Sequence, residues 1–123
     1  MISFESFVLE DNVPIYLQIV GYIKRGIVAG SIADGAEMPS RRMLSALLGV
    51  NPNTVQKAYR LLEEEGLMQS HAGAKSYMSL APDRVEGIRA ELLENDARAI
   101  VAAMRQMGLN REEAIALIGR YWE

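Results

Sequence analysis

The amino-acid sequence predicts a mainly α chain with one small β-hairpin, and three observations carry that expectation. Apolar residues recur at helical spacing in several stretches, each bounded by Ser, Asn, Pro or Gly where helices begin and end. Two short helical patterns follow one another between Ser40 and Glu65, separated only by Gly49, Val50 and the Asn51–Pro52 pair. Two brief apolar-rich runs then flank His71-Ala72-Gly73-Ala74. Helix, tight turn, second helix and hairpin, in that order, are the parts of a winged helix-turn-helix domain, expected over residues 1–80. A two-helix tail is expected over residues 81–123.

Taken in order, residues 1–10 alternate loosely through Ile2, Phe4 and Val8 and predict a short extended arm. Asp11 or Asn12 is the expected cap of a helix with Pro14 in its first turn, where a missing N–H costs nothing. Ile15, Ile19, Ile23 and Ile27 form its stripe, and Gly30 ends it. The segment from Ser31 to Met38, with Gly35 inside it, reads as a loop. Ser40 is the cap of the next helix, with Met43, Leu44, Leu47 and Leu48 as its apolar face and Gly49 as its left-handed stop. Asn51 caps the following helix, with Pro52 at its first position and Gly66 beyond its end. The runs 67–70 and 75–80 read as the hairpin strands. A long helix is expected from Pro82 or Asp83 to about Met107, stopped by Gly108. Asn110 and Glu113 then have the spacing of a capping box for a last helix with a broad apolar face.

Composition bounds the function. At 123 residues, 50% hydrophobic and 24% charged, the chain is ordinary for a globular protein with a modest core. The absence of cysteine excludes disulfides and thiolate metal sites. No apolar run approaches the roughly 18 residues a membrane span requires. Met1 to Glu5 lacks a basic stretch ahead of an apolar core, so no secretory leader and no membrane partner are expected, and the cytoplasm is the expected location. One histidine, no cysteine and no phosphate-binding glycine loop argue against an enzyme, and no cofactor is expected.

The net charge of −3 argues against a polyanionic partner, but local charge decides nucleic-acid binding. Arg41, Arg42, Lys57, Arg60 and Lys75 fall in the middle of the chain, whereas Asp83, Glu86, Glu91, Glu94, Asp96, Glu112 and Glu113 follow residue 82. Within 53–65, Val55, Ala58, Tyr59 and Leu62 share one helical face, and Asn53, Gln56, Lys57 and Arg60 share another. Asn and Gln pair bidentately with adenine, while Lys and Arg suit guanine or phosphate, so the second face reads as a DNA-contacting one. Ser40, Arg41 and Arg42 open the preceding helix, where amides, a hydroxyl and two guanidinium groups suit a phosphate. Arg42 is the stronger choice of the two arginines. Gly73 and Lys75 at the hairpin turn are further candidate contacts, and His71 reads as an exposed turn residue.

Pro14-Ile15-Tyr16-x-Gln18-Ile19, Met38-Pro39-Ser40-x-Arg42-x-Leu44, Leu48-Gly49-Val50, Thr54-Val55, Ala58 and Leu61 through Gly66-Leu67 form an ordered set. That set resembles the GntR family's N-terminal winged helix domain over residues 14 to about 80. Asn51 to Tyr59 is similar to the YtrA subfamily in particular, whose short two-helix tail serves dimerisation. The resemblance implies a homodimer on an inverted-repeat operator, usually a repressor and often encoded beside transporter genes. It also implies DNA contacts from Ser40, Arg42, Thr54, Gln56 and the Gly73 wing tip. Pro52 stands where many members outside this subfamily have a base-reading arginine, which implies a different half-site. In the wing, Ala72, Lys75 and Ser76-Tyr77 depart from the usual pattern.

A single winged helix makes few contacts, and two half-sites roughly 34 Å apart call for a two-fold interface. Ile88, Leu92, Ile100, Met104, Met107, Ile115, Ile118 and Trp122 give the tail more apolar surface than a small core needs, and are the expected dimerisation residues. A small-molecule effector stays open as a partner, since no effector pocket can be read from the residues. A protein-interaction module that has lost DNA binding is the competing reading. The negative net charge favours it, and the clustering of Asn53, Gln56, Lys57 and Arg60 opposes it.

Overall fold

The computed structural model describes residues 1–71 and 75–123. The order of elements is α1 (Ile15–Ala29), β1 (Glu37–Met38), α2 (Arg41–Leu48), α3 (Pro52–Glu64), β2 (Met68–Ser70), β3 (Ser76–Met78), α4 (Pro82–Gln106) and α5 (Arg111–Tyr121). The three strands form one antiparallel sheet in the order β1-β3-β2, with Met68 opposite Met78 and Glu37 opposite Tyr77. The mainly helical chain with a small sheet is thus as expected. The described residues fall into two compact units, Met1–Ile88 and Arg89–Glu123, the division lying within α4.

The core of the first unit gathers one stripe from each element. Ile19, Val20, Ile23 and Ile27 come from α1, Leu44 from α2, and Val55, Ala58, Tyr59 and Leu62 from α3. Met38, Met68 and Met78 close it from the sheet, with Ile32, Leu67 and Phe4. Burying each such side chain contributes roughly 1.5–3 kcal/mol, and this burial is what holds short, weakly propensive helices in place.

Four local expectations are corrected. The N-terminal arm turns at Glu5–Ser6 instead of running extended throughout. The Ile2 amide donates to the Glu37 carbonyl at 2.8 Å, and buried Phe4 stacks on Tyr22 with ring centroids 5.0 Å apart. Neither Asp11 nor Asn12 caps α1. Pro14 is the N-cap, without a side-chain cap bond, because its carbonyl accepts from the Leu17 and Gln18 amides while Asn12 turns to φ 72°. The Gln18 side chain meanwhile holds the Glu10 and Val13 carbonyls. Glu37–Met38 is a strand rather than loop, since pairing with β3 satisfies its backbone and buries Met38. On α2, Met43 and Leu47 are exposed, and the inward stripe is Leu44, Ser45 and Leu48. Ser45 replaces an apolar residue there because its hydroxyl donates to the Val50 carbonyl at 2.6 Å.

In the second unit, the expected capping box is present in both directions. The Glu113 amide donates to Asn110 Oδ1 at 2.9 Å, and the Asn110 amide donates to Glu113 Oε1 at 3.1 Å. α4 and α5 bury no residue.

Candidate nucleic-acid interface

The site rests on how α2 and α3 begin and how they are joined. At α2, Ser40 Oγ accepts from the Met43 amide at 3.1 Å, a serine N-cap. At α3, Asn51 Oδ1 accepts from the Asn53 amide at 2.8 Å, and Pro52 occupies the first turn. Neither first turn carries an acid, so no carboxylate there offsets the partial positive charge of either helix start. Between the helices Gly49 adopts φ 67°, a left-handed turn that a residue with a Cβ enters only with strain.

Complete burial of Val55, Ala58, Tyr59 and Leu62 fixes the rotation of α3. Asn53, Lys57 and Arg60 are consequently exposed, and Gln56 and Thr54 half-buried beside them. The structure therefore brings Asn53, Thr54, Gln56, Lys57 and Arg60 together on one helix, with Ser40 and Arg42 exposed at the start of the neighbouring one. Lys75 is exposed at the hairpin, where its carbonyl accepts from the His71 amide at 2.9 Å, and His71 is exposed as expected. Gly73 lies outside the described residues.

Arg41 is placed differently from Arg42. Its guanidinium forms an ion pair with Glu63 at 3.0 Å, approaches Ser70 and Ser76 hydroxyls at 3.4 and 3.5 Å, and lies 4.8 Å from the Tyr59 ring centroid. Its Nε is buried without a hydrogen-bond partner. One side chain thus ties α2 to α3 and to both hairpin strands. Tyr59 donates its hydroxyl to the Pro39 carbonyl at 2.5 Å. Burial pushes the Tyr59 phenol well above the ordinary tyrosine range, and the Arg41 charge offsets this only in part.

Two of the three acids at and just beyond the end of α3 are engaged in ion pairs. Glu63 is paired with Arg41, and Glu65 with Lys24 at 2.8 Å. Tyr16 is a site residue the α3 periodicity does not reveal: its ring lies under Lys57, with Nζ 4.1 Å from the centroid. Its sequence signals are its place on the first turn of α1 and its presence in the Pro14-Ile15-Tyr16-x-Gln18-Ile19 motif, and neither points to Lys57.

Of the tail residues, Ile88 packs against the core of the first unit, and Leu92 and Met104 are half-buried. Ile100, Met107, Ile115, Ile118 and Trp122 are exposed, Trp122 by 82%. Between α4 and α5 an apolar cleft of about 510 Å³ is lined by Ile100, Met104, Leu109, Ile115 and Ile118, among others. Among the described residues no helix is long and apolar enough to cross a membrane. No group of three His, Asp or Glu side chains among them is arranged to hold a metal ion.

Residues 15–77 match the family model described as bacterial regulatory proteins, gntR family. The chain is 28% identical to the HTH-type transcriptional regulator YhcF of Bacillus subtilis over 93% of this chain and 94% of that protein. It is 33% identical to the HTH-type transcriptional repressor YtrA of Bacillus subtilis over 79% of this chain and 70% of that protein. Among solved structures, a GntR family transcriptional regulator from Listeria monocytogenes superposes with a TM-score of 0.79 at 33% identity, covering 91% of this chain and 98% of that one. YtrA from Sulfolobus acidocaldarius, a GntR-family transcription factor, superposes with a TM-score of 0.54 at 31% identity, covering 91% and 90%. These relatives are transcription regulators rather than enzymes. Winged architecture and family match agree, and the chain belongs to the GntR family of DNA-binding transcription regulators.

Proposed function

We propose that this regulator is a homodimeric, sequence-specific repressor. It meets an inverted-repeat operator through Asn53, Thr54, Gln56, Lys57 and Arg60 of α3, which contact bases and the phosphates beside them, and grips the flanking phosphates with Ser40, Arg42, Lys75 and Gly73. The observation that carries this reading is the rotation of α3, whose buried stripe turns the amide and basic side chains outward. Arg41, engaged with Glu63, serves as the brace that fixes the hairpin against that helix. Repression follows the Bacillus subtilis relative YtrA, an HTH-type transcriptional repressor. Control of transporter genes, in the cytoplasm, completes the reading. Residues 1–80 form the DNA-binding part and residues 81–123 the dimerising tail, whose exposed Ile100, Met107, Ile115, Ile118 and Trp122 offer an unfilled apolar surface. An effector would act through the spacing of the two reading heads.

Binding of the wild type, Arg42→Ala and Gln56→Ala to the chain's own promoter and to mixed-sequence duplex tests this. Gln56→Ala is expected to lose about 1–3 kcal/mol on the promoter alone, since a base contact is removed. Arg42→Ala is expected to weaken both duplexes and reduce the salt slope by about 1 per bound subunit. Equal wild-type affinity for the two duplexes, or folded variants with unchanged binding, would overturn the assignment.

A further inference from the structure

The exposed face of α3 does not explain where Lys57 is held. The side chain leaves the helix at the edge of that face nearest α1, and its ammonium settles over the Tyr16 ring, 4.1 Å from the centroid. Tyr16 is half-buried and packs against the core, so its ring is a fixed platform, whereas Lys57 is exposed. The two residues share an open depression of about 380 Å³, also lined by Asn53 and Thr54, and no carboxylate lines it. A lysine stem in water samples many rotamers. A ring face beneath the ammonium restricts that freedom while leaving the other side of the charge open to an anion. Because α1 packs beside α3, an ammonium drawn toward α1 is aimed away from the centre of the reading face. A groove wall, which presents phosphates, would pass there.

We propose that Tyr16 is a positioning residue that aims Lys57 at a DNA phosphate beside the reading helix. This rests on the DNA-binding reading above. Phosphate contacts set register and orientation and are independent of sequence, so the contact is read without knowing the operator.

The test is fluorescence anisotropy of the full chain on a labelled mixed-sequence duplex over a salt series, with Tyr16→Leu, Tyr16→Phe, Lys57→Met and the Tyr16→Leu/Lys57→Met pair. Lys57→Met is expected to lower the salt slope by about 0.9 per bound subunit, the share of one phosphate each. Tyr16→Leu is expected to weaken low-salt binding about two- to fivefold, a loss that disappears in the Lys57→Met background. Tyr16→Phe, which keeps the π face, is expected to bind as the wild type does. Additive losses from Tyr16→Leu and Lys57→Met, or a wild-type level of binding by folded Tyr16→Leu, would overturn the positioning role. Should Tyr16→Leu fail to fold, Lys57→Met still decides, since an unchanged slope overturns the phosphate contact. A wild-type chain that binds no duplex at low salt removes the DNA-binding reading itself, an outcome distinct from binding that ignores Tyr16.

Discussion

Arg41 and Arg42 are neighbours in the chain and differ by one position on the helix, yet only Arg42 faces outward. The difference lies in what surrounds Arg41: Tyr59 and Glu63 from α3, and Ser70 and Ser76 from the hairpin. None of these is near it in sequence, so no local pattern separates the two arginines. Tyr59 stands in the same cluster and carries a pH signature. Burial disfavours its phenolate, so the pKa is raised in the folded state relative to the unfolded chain. The associated stability is complete below about pH 10, where an unperturbed tyrosine titrates, and is lost as pH rises above it, at up to about 1.4 kcal/mol per pH unit. Urea unfolding of the wild type is therefore expected to show an alkaline loss that Tyr59→Phe lacks. At neutral pH that variant is expected to be about 0.5–1.5 kcal/mol less stable, having lost the bond to the Pro39 carbonyl.

At the scale of elements, the two faces of α3 are separated by sequence spacing alone. Val55, Ala58, Tyr59 and Leu62 are all wholly buried, as their periodicity requires. The caps at Ser40, Asn51 and Asn110 are equally local, since each is a side chain accepting from an amide two or three residues on. The turn between α2 and α3 depends on Gly49. A Cβ there meets open space, so the cost of a substitution is conformational rather than steric. Gly49→Ala is expected to destabilise by about 1 kcal/mol, lowering the thermal midpoint by roughly 4–8 °C for a unit of this size. Gly49→Asn is expected to cost less, and differential scanning fluorimetry of the pair checks both. β1 was not visible in the same way. Two residues carry no period, and Glu37–Met38 becomes a strand only because β3 lies beside it.

For the molecule as a whole, the first unit gathers a buried core, whereas the second buries no residue fully and leaves Ile100, Met107, Ile115, Ile118 and Trp122 exposed. An isoleucine taken from water contributes roughly 1.5–3 kcal/mol, so Ile115 and Ile118 are strong candidates for the contact between two copies. If the chain dimerises through this tail as proposed, Ile115→Glu and Ile118→Glu each weaken dimerisation at least about tenfold, with DNA affinity falling alongside as two half-sites are no longer held together. Light scattering of the purified chain, paired with duplex binding, checks the coupling. A monomeric wild type, or charged variants that remain dimeric, would remove the tail from the interface.

Caps, stops and apolar periods act over three or four residues, and those distances are written into the chain. They were enough to place five helices, the helix-turn-helix, the hairpin and the outward face of α3. Contacts between residues far apart had no such trace. The stacking of Phe4 on Tyr22, the strand at Glu37–Met38, the Arg41 brace and the seat of Lys57 over Tyr16 all depend on which surfaces meet once the core closes. Burial is decided by the neighbours that arrive, and pairing by the groups left unsatisfied when they do.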